Sequence, residues 1–200
     1  MSDPTPPDHE SAAPPAVEAS RLSSDIRAQV IDGEIVDLTT PSAEHGNAQA
    51  GVVTHLRGLF HRRLRPEDAA LPGGWWIMTE VEIEFEPDQF YVPDVVGWRR
   101  GHSSTPPSGR PMTLRPDWVC EVVSPSSAKD DLVKKLRVLQ RCAVTHYWIV
   151  DLANETLVVL RWTPEGYVVS LTASRTDRVR AEPFDAVELP VSVLFGDDEE

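Results

Sequence analysis

Two acidic residues, Asp94 and Glu121, stand in positions that could support metal chemistry. Asp94 lies in an apolar segment with strand-like alternation at residues 91–98, and Glu121 lies in another at residues 117–123. A buried carboxylate without a partner is costly, so each must find a cation or a hydrogen-bond donor. If the two strands are neighbours, the carboxylates converge on one hard divalent cation such as Mg²⁺ or Mn²⁺. The alternative is that each carboxylate pairs with a nearby arginine.

A lysine that follows Glu121 could add a positive charge to the same site. The spacing predicts a helix over about residues 129–142. Four apolar residues at helical spacing form its predicted core-facing stripe: Leu132, Leu136, Leu139 and Ala143. At 100° per residue Lys135 falls on the shoulder of this stripe, whereas Lys134 faces water. Lys135 is therefore either part of a site or one half of a surface pair with Asp131, four residues before it.

The remaining pattern predicts the elements that must position these residues. A hairpin around Asp32-Gly33 precedes a helix at Ser42–Leu64, and strands follow at 81–86, 91–98, 117–123 and 147–150. Residues 156–172 read as a closing hairpin, and residues 101–116 as a long loop. The strand–helix–strand unit at 117–151 has the length of a parallel crossover. We therefore expect an α/β (mixed α+β) fold with a central mixed β-sheet flanked by helices.

Composition bounds the domain and its surroundings. Residues 1–20, rich in Pro, Ala and acidic residues, are predicted to be a disordered tail, residues 21–196 a single domain, and residues 197–200 an acidic tail. No stretch approaches the about 20 apolar residues of a membrane helix, and the N-terminus does not resemble a signal sequence. A cytoplasmic protein is expected, and Cys120 and Cys142 are expected to be buried thiols.

The net charge of −13 argues against a protein that coats nucleic acid. Each of the two tails carries −4, which leaves −5 for residues 21–196. Contact with DNA would therefore depend on a local basic patch. The residues expected to form it are Arg99, Arg100 and Lys129, with Arg110 and Arg115 as further candidates.

Five short motifs occur in a fixed order along the chain. They are Ile31-Asp-Gly-Glu34, Pro93-Asp94, Glu121-Val-Val-Ser-Pro-Ser126, Asp131-x-x-x-Lys135 and Tyr147-Trp-Ile-Val-Asp151. Together they resemble the Uma-type family of restriction endonucleases, a branch of the PD-(D/E)XK nuclease superfamily. The resemblance runs from about residue 25 to about residue 190.

The resemblance implies a restriction-endonuclease-like fold and Mg²⁺-dependent hydrolysis of phosphodiester bonds in DNA. It assigns Asp94 and Glu121 as catalytic metal ligands, with the carbonyl of Val122 as a further ligand. The superfamily's usual lysine two residues after the acid is replaced here by Val123. The resemblance implies that Lys135, on the following helix, takes its catalytic place.

Accessory roles and partners follow from the same resemblance. Glu34 and His45 fall where the family has polar residues near the site, and Asp131 accompanies Lys135. A homodimer is expected by analogy with restriction enzymes that cut both strands. Two other functions stay open: a catalytically inactive nuclease-fold protein that acts as a macromolecular binding module, and a hydrolase of a small phosphorylated molecule. A basic rim around Asp94 would favour the nuclease.

Overall fold

The Asp32-Gly33 pair forms the predicted hairpin turn. Both residues have left-handed backbone conformations, with φ of 52° and 78°, as a two-residue hairpin turn of the favoured hand requires. The turn joins β1 (Ala28–Ile31) to β2 (Glu34–Asp37). These strands belong to a four-stranded sheet of order β2-β1-β5-β4, completed by β4 (Ile83–Glu86) and β5 (Gln89–Tyr91).

The computed structural model describes residues 28–38, 40–63, 72–124 and 130–198, without the side chains of residues 130 and 131. The predicted tail at residues 1–20 and Lys129 therefore lie outside the described residues. In the described ranges, no helix combines the length and the apolar character that crossing a membrane needs.

A six-stranded mixed sheet forms the centre of the fold, in the order β10-β9-β8-β7-β6-β3. Its strands are β3 (Trp75–Thr79), β6 (Val95–Arg99), β7 (Trp118–Val123), β8 (His146–Asp151), β9 (Thr156–Thr163) and β10 (Gly166–Ser174). Strands β7 and β8 run parallel, and the other pairs are antiparallel. The predicted central mixed sheet and parallel crossover are thereby confirmed.

Helices flank both faces of this sheet. Helix α1 (Ala43–Phe60) begins at the Ser42 cap, whose hydroxyl accepts the His45 N–H at 3.2 Å, and packs its apolar stripe on one face. The crossover consists of a π-helical turn (Asp130–Lys135) and α2 (Leu136–Arg141), which packs on the other face. Strands β11 (Arg178–Val179) and β12 (Leu189–Pro190) and a 3₁₀ helix (Val191–Phe195) close the α1 side.

Three local features differ from the sequence prediction. Strand β3 was not predicted, because its first three residues are all buried and show no alternation. The predicted strand at 91–98 is divided between the two sheets at Pro93, which cannot donate a ladder hydrogen bond. Leu132 is exposed instead of buried, because the i→i+5 bonding of the π-turn shifts the register that a regular helical wheel assumes.

The two edge strands of the six-stranded sheet, β3 and β10, differ in what protects them from pairing with another chain. Side chains from the end of α1 cover β3: the His61 Nδ1 atom accepts the Ile77 N–H at 3.0 Å, and Arg57 donates to the Ile77 carbonyl at 3.2 Å. Strand β10 pairs on one side with β9, and its register shifts between Val169 and Leu171. That shift marks a β-bulge in the outer strand.

Candidate active site

Asp94 and Glu121 meet at one end of the six-stranded sheet. The antiparallel register that pairs Val95 with Cys120 brings the preceding Asp94 next to Glu121. The Asp94 N–H lies 3.5 Å from Glu121 Oε2, and Asp94 Oδ2 accepts the Val122 N–H at 2.7 Å. Two carboxylates from separate strands thus occupy one small region where β6 begins and β7 ends.

Lys135 reaches this region from the π-helical turn. Its Nζ atom donates to Glu121 Oε1 at 2.9 Å, and both side chains are only 5% exposed. The same Nζ atom lies 5.9 Å from the centre of the Tyr91 ring, within reach of a cation–π interaction. The neighbouring Lys134 is half-buried. The turn therefore fixes the Lys135 ammonium group against a carboxylate and an aromatic ring.

The first turn of α1 supplies a third group to the site. His45 Nε2 lies 3.0 Å from Asp94 Oδ1, and the two side chains are 16% and 17% exposed. One helical turn later, Gln49 donates to the Asp94 carbonyl at 2.9 Å. Asp94 is therefore held at both carboxylate oxygens and at its backbone carbonyl, which fixes its orientation.

Three residues near the site were not singled out from the sequence: Gln49, Glu80 and Tyr91. Gln49 follows His45 by four residues, so their common helix face was the available signal. Glu80 has a φ of 51°, donates its N–H to the Pro93 carbonyl and receives a 3.5 Å contact from Gln49. Glu80 begins a run of glutamates at every second position, so its sequence context did not distinguish it from the others. Tyr91 read as an ordinary apolar strand residue.

The buried thiol next to Glu121 is not a candidate nucleophile. Burial, and after it the negative charges of Asp94 and Glu121, raise the pKa of Cys120 well above its ordinary value. The reactive form of cysteine is the thiolate, which this environment strongly disfavours.

The donor set suits a hard cation that brings its own water. No group of three or more His, Cys, Asp and Glu side chains is arranged as a metal site in the described ranges. Mg²⁺ does not require one, because it keeps several waters and is commonly held by one or two carboxylates together with substrate phosphates. Asp94 and Glu121 provide two such carboxylates, so the residues present fit this cation.

Other predicted residues lie elsewhere. Glu34 is exposed on β2 of the four-stranded sheet, and the Asp131 side chain lies outside the described part. Arg99 and Arg100 follow Asp94 by five and six residues along an extended strand, which places them roughly 17 Å away at the other end of β6. Further candidates have other partners: Arg110 pairs with Glu82, and Arg115 donates to the Cys142 carbonyl at 2.9 Å.

Comparison with known families supports the sequence resemblance. Residues 16–192 match the model of the Uma2 family, which is described as "Putative restriction endonuclease". The chain belongs to the Uma2 family. All of the site residues of this Uma2-family chain fall inside the matched range. No curated protein matches the chain.

A solved structure shares the fold of this Uma2-family chain. It is the crystal structure of a "putative nuclease belonging to DUF820" from Anabaena variabilis ATCC 29413. The two chains are 18% identical, with a TM-score of 0.63, and the likeness covers 84% of this chain and 89% of the other. The predicted nuclease-like fold class is confirmed.

Proposed function

We propose that this chain is a Mg²⁺-dependent endonuclease that hydrolyses phosphodiester bonds in DNA. Membership in a restriction endonuclease family supports a nuclease. The single observation that carries the finer proposal is the buried Lys135–Glu121 ion pair, formed at 2.9 Å beside Asp94. A lysine and two carboxylates converge there although the usual lysine position holds Val123.

The two carboxylates supply the cation site. Asp94 and Glu121, with the carbonyl of Val122, would hold Mg²⁺ or Mn²⁺. When bound, such an ion lowers the pKa of a coordinated water and neutralises charge on the reacting phosphate. The contact of Asp94 with His45 and its hydrogen bond from the Val122 N–H hold its carboxylate in one orientation.

Lys135 supplies a fixed positive charge for the reacting phosphate. Glu121 and the Tyr91 ring hold its Nζ atom in place, so little reorganisation is needed when substrate arrives. Beside Glu121, its positive charge can act on a non-bridging phosphate oxygen or on the attacking water. His45 and Gln49 act as positioning residues through their contacts with Asp94.

One observation favours a second candidate, a catalytically inactive binding module. Arg99 and Arg100, expected to form a basic rim around Asp94, lie at the far end of β6. Strong binding of long DNA at the candidate active site would need basic residues closer to it.

Cleavage of supercoiled plasmid DNA tests the proposal. We expect nicking or linearisation in Mg²⁺ or Mn²⁺ and none in EDTA. Glu121→Gln should abolish cleavage, whereas Glu165→Gln, which neutralises an exposed carboxylate in the β9–β10 turn, should not change it. Undiminished cleavage by Glu121→Gln would contradict the assigned site. A folded wild type without cleavage in either metal would favour the binding module.

A further inference from the structure

A cavity lies at the end of β6 opposite Asp94, between the start of β3 and the segment that follows β6. Its volume is about 560 Å³, within the range of small-molecule sites. Four basic side chains line it: Arg63, Arg99, Arg100 and His102. Neither an aspartate nor a glutamate is among its lining residues in the described part of the chain. A cavity with this lining is unexpected in a protein with a net charge of −13.

The three arginines of this cavity differ from five other arginines of the described chain. Arg110, Arg141, Arg161, Arg175 and Arg178 each form an ion pair with a carboxylate. Among the residues that the structure describes, neither Arg63, Arg99 nor Arg100 forms such a pair. Their positive charges therefore have no carboxylate partner within the described ranges.

Aromatic rings and backbone atoms hold two of these guanidinium groups instead. Arg99 lies over the Trp75 ring at 4.7 Å, and Arg100 over the Trp76 ring at 3.4 Å. Arg100 also donates from Nε to the Trp75 carbonyl at 3.0 Å, which leaves its two terminal nitrogens to bind a ligand. Burial, and after it the nearby Arg63, lower the pKa of Arg100, as expected where two like charges lie close together.

A buried carboxylate orients the fourth basic group. Asp117 Oδ1 lies 2.7 Å from His102 Nδ1, and Asp117 Oδ2 accepts the Arg99 N–H at 2.7 Å. The Asp117 side chain is 8% exposed and that of His102 is 63% exposed. Because Nδ1–H points to the carboxylate, Nε2 is the ring nitrogen that remains for a ligand.

We propose that this cavity binds the phosphate group of a nucleotide, either free or within a DNA backbone. Guanidinium groups match phosphate oxygens through paired N–H donors. A phosphate anion would supply the negative charge that the described lining residues do not provide. The cavity is roughly 17 Å along β6 from Asp94, so it can be occupied independently of the candidate active site.

Calorimetric titrations of the full chain in EDTA, at constant ionic strength, test this proposal. The probes are inorganic phosphate, deoxyadenosine monophosphate and a short DNA duplex. Arg63→Gln should weaken binding by about tenfold, the effect of losing one hydrogen bond to a charged group. The matched control is Arg62→Gln, which removes the same charge from the preceding residue. The Arg62 side chain donates to the Gly58 carbonyl and does not line the cavity. Arg62→Gln should leave the affinity unchanged.

The pattern of binding separates the two sources of phosphate. If the mononucleotide binds and Arg63→Gln weakens that binding, the ligand is a free nucleotide. If only the duplex binds and Arg63→Gln weakens that binding, the ligand is the DNA backbone. The indole N–H resonances of Trp75 and Trp76 should shift during the titration. The proposal is overturned if none of the three probes binds, or if Arg62→Gln weakens binding as much as Arg63→Gln. Because no metal or cleavage is involved, neither result depends on the proposed nuclease activity.

Discussion

Lys135 and Glu121 are both only 5% exposed, so removing either charge deprives the other of its ion-pair partner inside the protein. Loss of one partner from a buried ion pair commonly costs about 3–5 kcal/mol, since the remaining ion keeps its desolvation penalty. The pair is thus a poor way to stabilise a domain, although it is well suited to hold an ammonium group in one place. This balance favours a role in chemistry over a role in folding.

The two adjacent lysines provide a matched test of that role. Lys135→Ala should lower DNA cleavage by about 10²–10³-fold, the usual effect of losing a preorganised donor at a reacting group. Lys134→Ala removes the same charge from a half-buried side chain and should cost little beyond a stronger salt dependence of substrate binding. Cleavage rates of both variants at low and moderate salt provide the measurement.

Folding must be controlled in this comparison, because Lys135→Ala removes the ion-pair partner of the buried Glu121. Circular dichroism at the assay temperature should show that each variant is folded, and rates are compared for folded protein. A folded Lys135→Ala variant with wild-type activity would rule out the catalytic role. Loss of cleavage in a folded Lys134→Ala variant would instead show that Lys134, and not Lys135, is the catalytic lysine.

At the scale of elements, α1 carries the positioning residues His45 and Gln49 and must pack closely on the 3₁₀ helix. A Cβ atom at Gly51 would overlap the Val193 carbonyl oxygen, whereas one at Gly58 would meet nothing within 4 Å. Gly51→Ala should therefore reduce the free energy of unfolding by about 1–3 kcal/mol. Gly58→Ala, in the same helix, should leave it unchanged or raise it by up to about 1 kcal/mol. Urea denaturation measures both, and equal effects would contradict this packing.

The hydrogen bond between His61 and Ile77 of β3 should make the free energy of unfolding depend on pH. Burial, and after it the Arg57 and Arg100 charges, lower the pKa of His61, and the nearby Ile77 carbonyl only partly opposes this. The unfolded chain therefore binds this proton more readily than the folded chain. The contribution of His61 is complete above its unfolded pKa of about 6.5, and it is lost as the pH falls from there through the lower folded value.

The corresponding measurement is urea denaturation at about pH 7.5 and about pH 5.5. The wild type should lose more stability at the lower pH than His61→Gln, whose amide oxygen can still accept the Ile77 N–H but does not titrate. His146, whose pKa is also lowered chiefly by burial, is present in both proteins and cancels in the comparison. Equal losses in the two proteins would show that His61 does not govern this dependence.

The sequence predicted those elements and site residues whose signals are local. The alternation around Asp94 and Glu121 and the helical position of Lys135 are such signals, as is the Asp32-Gly33 turn. The contacts of Gln49 with Asp94 and Glu80 join segments 45 and 31 residues apart, so only the folded chain reveals them. Closeness in sequence suggested that Arg99 and Arg100 lie near Asp94, but an extended strand carries them to its far end.

At the scale of the whole molecule, cation binding at Asp94 and Glu121 should stabilise the folded chain. A ligand that binds only the folded state adds about 2.7 kcal/mol when present at 100 times its Kd. Mg²⁺ should therefore raise the melting temperature of the wild type above its value in EDTA at the same ionic strength. Glu121→Gln should lose this increment, and Glu165→Gln should keep it. An equal increment in all three proteins would place the cation elsewhere.

The oligomeric state and the cellular location of the molecule stay predictions from the sequence. A homodimer would pair two sites for cleavage of both DNA strands. The cytoplasmic location likewise stays a prediction.

The bulge in β10 has a consequence for solubility. Val168 and Val169 are exposed on this outer strand, a combination that invites edge-to-edge association with other chains. The register shift between Val169 and Leu171 interrupts the regular row of backbone donors and acceptors that an incoming strand would need. Deleting Ser170 should restore a continuous row and increase aggregation, measured by light scattering against protein concentration. The bulge thus protects the β10 edge of the sheet, whereas side chains from the end of α1 cover the β3 edge.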